Sequence, residues 1–166
     1  LLRRYDREEY NPWIEWIPAP ELAITYGNGS PLPFAPGDYL IVIVTATDWS
    51  GGQSANGTLL FTDVTQNWQA NLTVTAAQLG GTFVVGQSAE RIVERPEVGG
   101  SFSTLANYVA DPWIDATAKD VKGKTYSPGK GSTSYAITMT DGGTPISYVE
   151  LFGTDVLWFF DENSAF

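Results

Sequence analysis

The sequence predicts an all-β protein, an antiparallel sandwich or barrel, with almost no helix. Three observations carry that prediction. No apolar stripe recurs at 3.6-residue spacing. Short β-branched and aromatic runs fill the chain instead. Gly, Pro, Asn and Asp interrupt those runs at regular intervals.

The expected strands are 12–17, 22–26, 38–48, 57–64, 68–75, 82–86, 89–95, 113–119, 134–140, 146–152 and 154–160. Turns are expected at Gly27-Asn28-Gly29, Ser50-Gly51-Gly52, Gly80-Gly81, Gly99-Gly100, Ser127-Pro128-Gly129 and Asp141-Gly142-Gly143. In PWIEWI, alternation puts Trp13, Glu15 and Ile17 on one face and Ile14 and Trp16 on the other. Glu15 is then either a rim residue or a polar group set into an aromatic floor. The run DYLIVIVTATD, 38–48, is apolar on both faces, which suits a central strand covered on both sides. GTDVLWFFDEN, near the end of the chain, is apolar enough to be core. Residues 119–130 hold four lysines and read as a solvated hairpin. Asp141-Gly142-Gly143 reads as a turn, and Gly129-Lys130-Gly131-Ser132 lacks the spacing of a phosphate loop.

The 166 residues suit a single domain, with one β-rich body expected over 1–166. A net charge of −10 and a pI near 4.2 argue against nucleic acid or an anionic membrane as partner, since both select a positive surface. Few basic groups also limit the self-repulsion that unfolds proteins in acid. No apolar run reaches membrane-spanning length. With no Cys and no His, a Ser-His-Asp triad, a thiol nucleophile, a disulfide framework and His- or Cys-based metal sites are all excluded. Hydrolytic chemistry then falls to carboxylates, carboxamides, hydroxyls or Lys, with no metal or cofactor expected. Asn28, Asn56 and Asn71 head Asn-X-Ser/Thr triplets and are candidate glycan acceptors if the protein is secreted.

The stretch SAERIVERPEV, 88–98, concentrates carboxylates. On a strand, Glu90, Ile92 and Glu94 share one face and Arg91, Val93 and Arg95 the other. Such a strand is either a solvated, salt-bridged edge or the seat of an acid–base residue.

Several stretches together resemble a known family. Trp13-Ile14-Glu15-Trp16-Ile17-Pro18 is similar to the W-Y-E-W-Y-P motif of the glutamic peptidases, the eqolisin family of acid endopeptidases. Gly37-Asp38 running to Val44-Thr45-Ala46-Thr47 resembles the family's next strand. Ala89-Glu90-Arg91-Ile92-Val93-Glu94-Arg95-Pro96-Glu97 resembles its A-E-(W/F)-I-(V/I)-E-D-F-E motif. Residues 102–108 and the pairing of 137–140 with 146–160 resemble its later segments.

The resemblance implies an antiparallel sandwich of two packed, curved sheets, concanavalin- or jelly-roll-like. It also implies cleavage of proteins in acid by a Glu–Gln dyad. Residue by residue it makes Glu94 the catalytic glutamate, with Glu15, Trp13, Glu97 and Glu90 as supporting or substrate-binding residues. Glu94 and Glu15 are expected on one concave sheet face, with Trp13 in the same groove. A carboxylate can activate water and then protonate the leaving amine, and a carboxamide can donate to the oxyanion.

The chain departs from the motif in two places. Arg95-Pro96 replaces Asp-Phe, and proline has no N–H for a ladder. The family's glutamine lies upstream of W-Y-E-W, whereas Gln53, Gln66, Gln69, Gln78 and Gln87 all lie downstream of Trp13. The expectation is a secreted, monomeric, extracellular endopeptidase acting on protein or peptide substrates in an acidic medium. Either an N-terminal segment or chain outside 1–166 completes it and supplies the glutamine, or Leu1-Leu2-Arg3-Arg4 is the remnant of that segment with Arg3 in the glutamine's place. The alternative is a catalytically silent sandwich that binds peptide or carbohydrate.

Overall fold

A computed structural model of the chain describes residues 12–14, 22–26, 29, 30, 32–75, 77, 78, 84–93, 95, 97, 98, 100–102, 105, 108, 110–130 and 133–161. Among them there is no helix, and every strand pairing is antiparallel. The chain divides into two compact units, 1–87 and 88–166.

Unit 1 is built on a three-strand meander, β3 (Leu40–Ser50), β4 (Gln53–Asp63) and β5 (Trp68–Thr75), in the order β3-β4-β5. Gly51 and Gly52 both have positive φ, 59° and 82°, the backbone of a two-residue hairpin turn whose twist matches the strands. The β4–β5 turn is closed by Asp63. Its Oδ1 accepts the Gln66 N–H at 2.8 Å, and Asn67 takes the left-handed conformation at φ 56°. A short ribbon, β1 (Trp13–Ile14) with β2 (Leu22–Ala23), pairs Trp13 with Ala23.

Ile24, Leu32, Leu59 and Phe61 form the buried core of this unit, with Ile14, Phe34, Leu40, Trp68 and Leu72 packed against it. Phe61 and Trp68 stack at 5.5 Å, and Phe34 tilts against both. The strand expected to be central and covered on both sides proves otherwise. β4 is central, because both hairpins pair with it, and the core cover concentrates over β4 and β5. On β3 only Leu40 reaches that cover. Ile41, Val42 and Ile43 are exposed, and Val44 is 74 % exposed. Strand 82–86 reduces, among the described residues, to a single bridge between Val84 and Ser54.

Unit 2 centres on a sheet of β11 (Met139–Asp141), β12 (Thr144–Phe152), β13 (Val156–Asp161) and β8 (Ala110–Trp113), in the order β11-β12-β13-β8. Pro112 sits in β8, the outer strand, where a missing N–H costs no ladder bond. Gly142 and Gly143, both at positive φ, turn β11 into β12. β12 and β13 pair from Ser147↔Asp161 to Phe152↔Val156. Tyr148, Phe160, Trp158 and Phe152 therefore share one face and contact one another in sequence, with centroids 5.1–6.1 Å apart. Ser147, Val149, Leu157 and Phe159 take the other face, where Trp113 tilts against Phe159.

Two smaller ribbons complete the unit. β6 (Glu97–Val98) pairs with β7 (Ser101–Phe102), and β9 (Ala118–Lys119) pairs with β10 (Thr125–Tyr126). The lysine-rich stretch thus contains the expected hairpin. Its turn is organised by Asp120, whose carboxylate accepts the Lys122 and Lys124 N–H groups and the Tyr126 hydroxyl. Those bonds, led by the one from Lys124, hold its pKa below the ordinary carboxylate value.

Gly129 lies against the β12–β13 turn, and its N–H donates to the Thr154 carbonyl at 2.9 Å. A Cβ there would stand 2.8 Å from the Gly153 oxygen and 2.9 Å from the Thr154 Cα, both backbone atoms. Gly129→Ala is expected to lower stability by about 1–3 kcal/mol, read as a lower denaturant midpoint. An unchanged midpoint would show that the turn yields freely.

Candidate active site

The segment 88–98 opens unit 2, and the described residues of the expected strand 89–95 do not form it. Residues 88–93 and 95 carry no ladder, and pairing begins only at β6. Pro96 in the sequence accounts for part of this, since it has no N–H to contribute. Side chains rather than backbone anchor the segment. The Arg91 guanidinium donates through Nη2 to the Thr117 carbonyl, just before β9. Arg95 pairs with Asp141 at 2.7 Å, at the end of β11, and its guanidinium lies 5.9 Å from the centre of the Phe102 ring. Burial pushes the Arg91 pKa down from its ordinary value. The two-sided pattern survives as burial: Arg91, Val93 and Arg95 are half-buried, while Glu90 and Ile92 are exposed.

Beside this segment lies an apolar cleft of about 200 Å³. Ile92 and Val93 line it from this segment, and Tyr135, Ile137 and Met139 from the stretch leading into β11. Ser147, Val149 and Phe159 line it from β12 and β13, and Arg91 also borders it. The Ser147 hydroxyl is buried and engaged with the Tyr108 hydroxyl at 2.6 Å, and Tyr108 also donates to the Phe160 carbonyl at 3.2 Å. Burial, ahead of the neighbouring Asp161 and Asp111 charges, raises the Tyr108 pKa, while the Ser147 bond opposes the rise.

The other predicted site residues fall as follows. Glu94, Glu15 and Asn28 lie outside the described residues, as does the shared face expected for the two glutamates. The backbone of Glu97 lies in β6, opposite Phe102. Glu90 is exposed and accepts a 3.2 Å bond from the Ser88 hydroxyl. Trp13 is on the exposed side of β1, in unit 1. Asn71 is exposed on β5. Asn56 is half-buried on β4, with its amide nitrogen donating to Asp48 at 2.6 Å. Two of the glutamines serve turns: Gln66 donates to Asp38, and Gln78 accepts from Thr75. Among the described residues no three Asp or Glu side chains cluster as metal ligands would. The cleft residues Tyr135, Ile137 and Met139 were not anticipated as site residues. Their two-residue spacing was the available signal.

Comparison with known proteins agrees with this architecture. The model of a family described as the Peptidase A4 family matches residues 3–157. The crystal structure of aspergilloglutamic peptidase from Aspergillus niger superposes with a TM-score of 0.73 at 21 % identity, covering 92 % of this chain and 79 % of that one. The fold is thus an all-β sandwich like that enzyme's. No curated relative matches the sequence.

Tyr108→Phe removes the partner of a buried serine hydroxyl, so it is expected to cost about 1–3 kcal/mol. The raised tyrosine contributes stability in full below pH about 10, and that contribution fades as pH climbs through its elevated folded value. Denaturation of wild type and variant from pH about 8 to 11 should show the gap between them narrowing. A constant gap would remove the titration from the account.

Proposed function

The chain belongs to the Peptidase A4 family, and from that premise we propose that it is an acid endopeptidase whose general base is Glu94. The observation that carries the reading is the family match running through Ala89-Glu90-Arg91-Ile92-Val93-Glu94, in a chain with no His or Cys to offer another route.

The chemistry balances on one carboxyl group. The Glu94 carboxylate takes a proton from water as the water oxygen attacks the peptide carbonyl carbon. The tetrahedral intermediate then collapses with cleavage of the C–N bond, and the protonated Glu94 returns its proton to the leaving amine. A neutral carboxamide donating to the oxyanion lowers the barrier further. By motif order none of Gln53, Gln66, Gln69, Gln78 and Gln87 holds that place. The proposal assigns the carboxamide to a segment preceding Trp13 in the mature protein. A secreted protein in an acidic medium, cleaving polypeptide without a cofactor, goes with this reading. Its low count of basic groups supports it.

The test uses the full mature protein on an unfolded protein substrate. Hydrolysis is expected at pH about 2–4, fading toward neutrality. Glu94→Gln keeps the shape and should lower kcat by about 10²–10⁴-fold with an unchanged circular dichroism spectrum. Activity undiminished by the substitution would refute Glu94. Inactivity of the wild type at every pH, with retained binding of peptide or sugar, would favour a silent binding module.

A further inference from the structure

We infer that the apolar cleft beside residues 91–93 is a specificity subsite, taking one large aliphatic or aromatic side chain of the polypeptide being cleaved. The inference rests on the reading of Glu94 as general base.

Connectivity supplies the first argument. Val93 precedes Glu94 directly, and successive Cα atoms are about 3.8 Å apart. An extended substrate advances about 3.3 Å per residue. A scissile bond held at Glu94 therefore has substrate side chains within one or two residues of the Ile92–Val93 wall.

Size and chemistry supply the rest. A cleft of about 200 Å³ falls below the roughly 300–1,000 Å³ of sites for whole small molecules, and suits a single side chain. Its walls are apolar and uncovered: Ile92 is 50 % exposed, Ile137 72 % and Tyr135 82 %. Apolar surface left open around a concavity is the signature of a binding surface. Its polar floor is already satisfied, because Tyr108 engages the Ser147 hydroxyl. An occupant is thus asked for no hydrogen bond, only for apolar surface. Arg91 lines the same space, so a Lys or Arg side chain would meet a like charge. The cleft discriminates against cationic residues as well as small ones.

The experiment uses the full mature protein and a peptide series identical except at one position near the scissile bond, carrying Phe, Leu, Ala or Lys. Both kcat/KM and equilibrium binding at pH about 3 are measured. Phe and Leu should exceed Ala by about 10–100-fold, with Lys below Ala. Ile137→Lys and Tyr135→Ala both alter exposed positions, where the fold tolerates change. Each should collapse the Phe-to-Ala ratio in rate and in binding. An unchanged ratio in both variants would overturn the subsite. Glu94→Gln separates the two claims: it should lower turnover of every peptide by about 10²–10⁴-fold while leaving the binding ratio intact. If turnover is undiminished in Glu94→Gln, the catalytic reading fails. If only the Ile137 and Tyr135 results fail, the catalytic reading stands without this subsite.

Discussion

The register of β12 against β13 is the constraint on which the candidate site depends. Pairing Val149 with Phe159 sends both side chains to the cleft face, together with Ser147. The same register gathers Tyr148, Phe160, Trp158 and Phe152 into the aromatic row on the opposite face. A slip of one residue would exchange the two sets, removing the cleft floor and breaking the row at once. Each aromatic contact of this kind contributes about 0.5–1.5 kcal/mol beyond area burial. The row therefore fixes the register from the side away from the site. Met139 joins the cleft through the same logic, since it pairs with Ser147 across β11 and β12.

Cations are scarce, with nine Lys and Arg against nineteen Asp and Glu, and the segment around Glu94 contains two of them. Arg91 reaches the Thr117 carbonyl and Arg95 reaches Asp141. These contacts hold the segment where a continuous ladder does not. Arg95 is mostly buried in its pair while Asp141 is largely exposed, so solvent screens the attraction and the geometry matters more than the energy. An anchored but unladdered segment also suits a wall against which a substrate strand can lie. Among its described residues, 88–93 and 95 pair with no strand.

Much of the fold was legible because hairpin chemistry is local. Gly51-Gly52 and Gly142-Gly143 announce their turns through the positive φ that only glycine adopts freely. β5 coincides with its expected span, and the alternating runs of β12 and β13 locate those strands closely. The failures came where long-range partners decide the outcome. The apolar run of β3 carries no mark of which neighbour will cover it, and cover went to β4. Residues 89–95 alternate as a strand does, but their anchors lie 26 and 46 residues away. The glutamate motif pointed to the segment through family resemblance. Nothing local linked Ile92 to Tyr135, Ile137 and Phe159, which the sheet topology gathers around one cleft.

The central claim is that Glu94 acts directly on the scissile peptide. A crystal structure of the full mature Glu94→Gln variant with an uncleaved peptide, at pH about 3, tests this without relying on rates. The account predicts the side chain at position 94 within about 2.6–3.2 Å of the scissile carbonyl, or one water away. A peptide bound in that structure with its scissile bond remote from position 94 would contradict it.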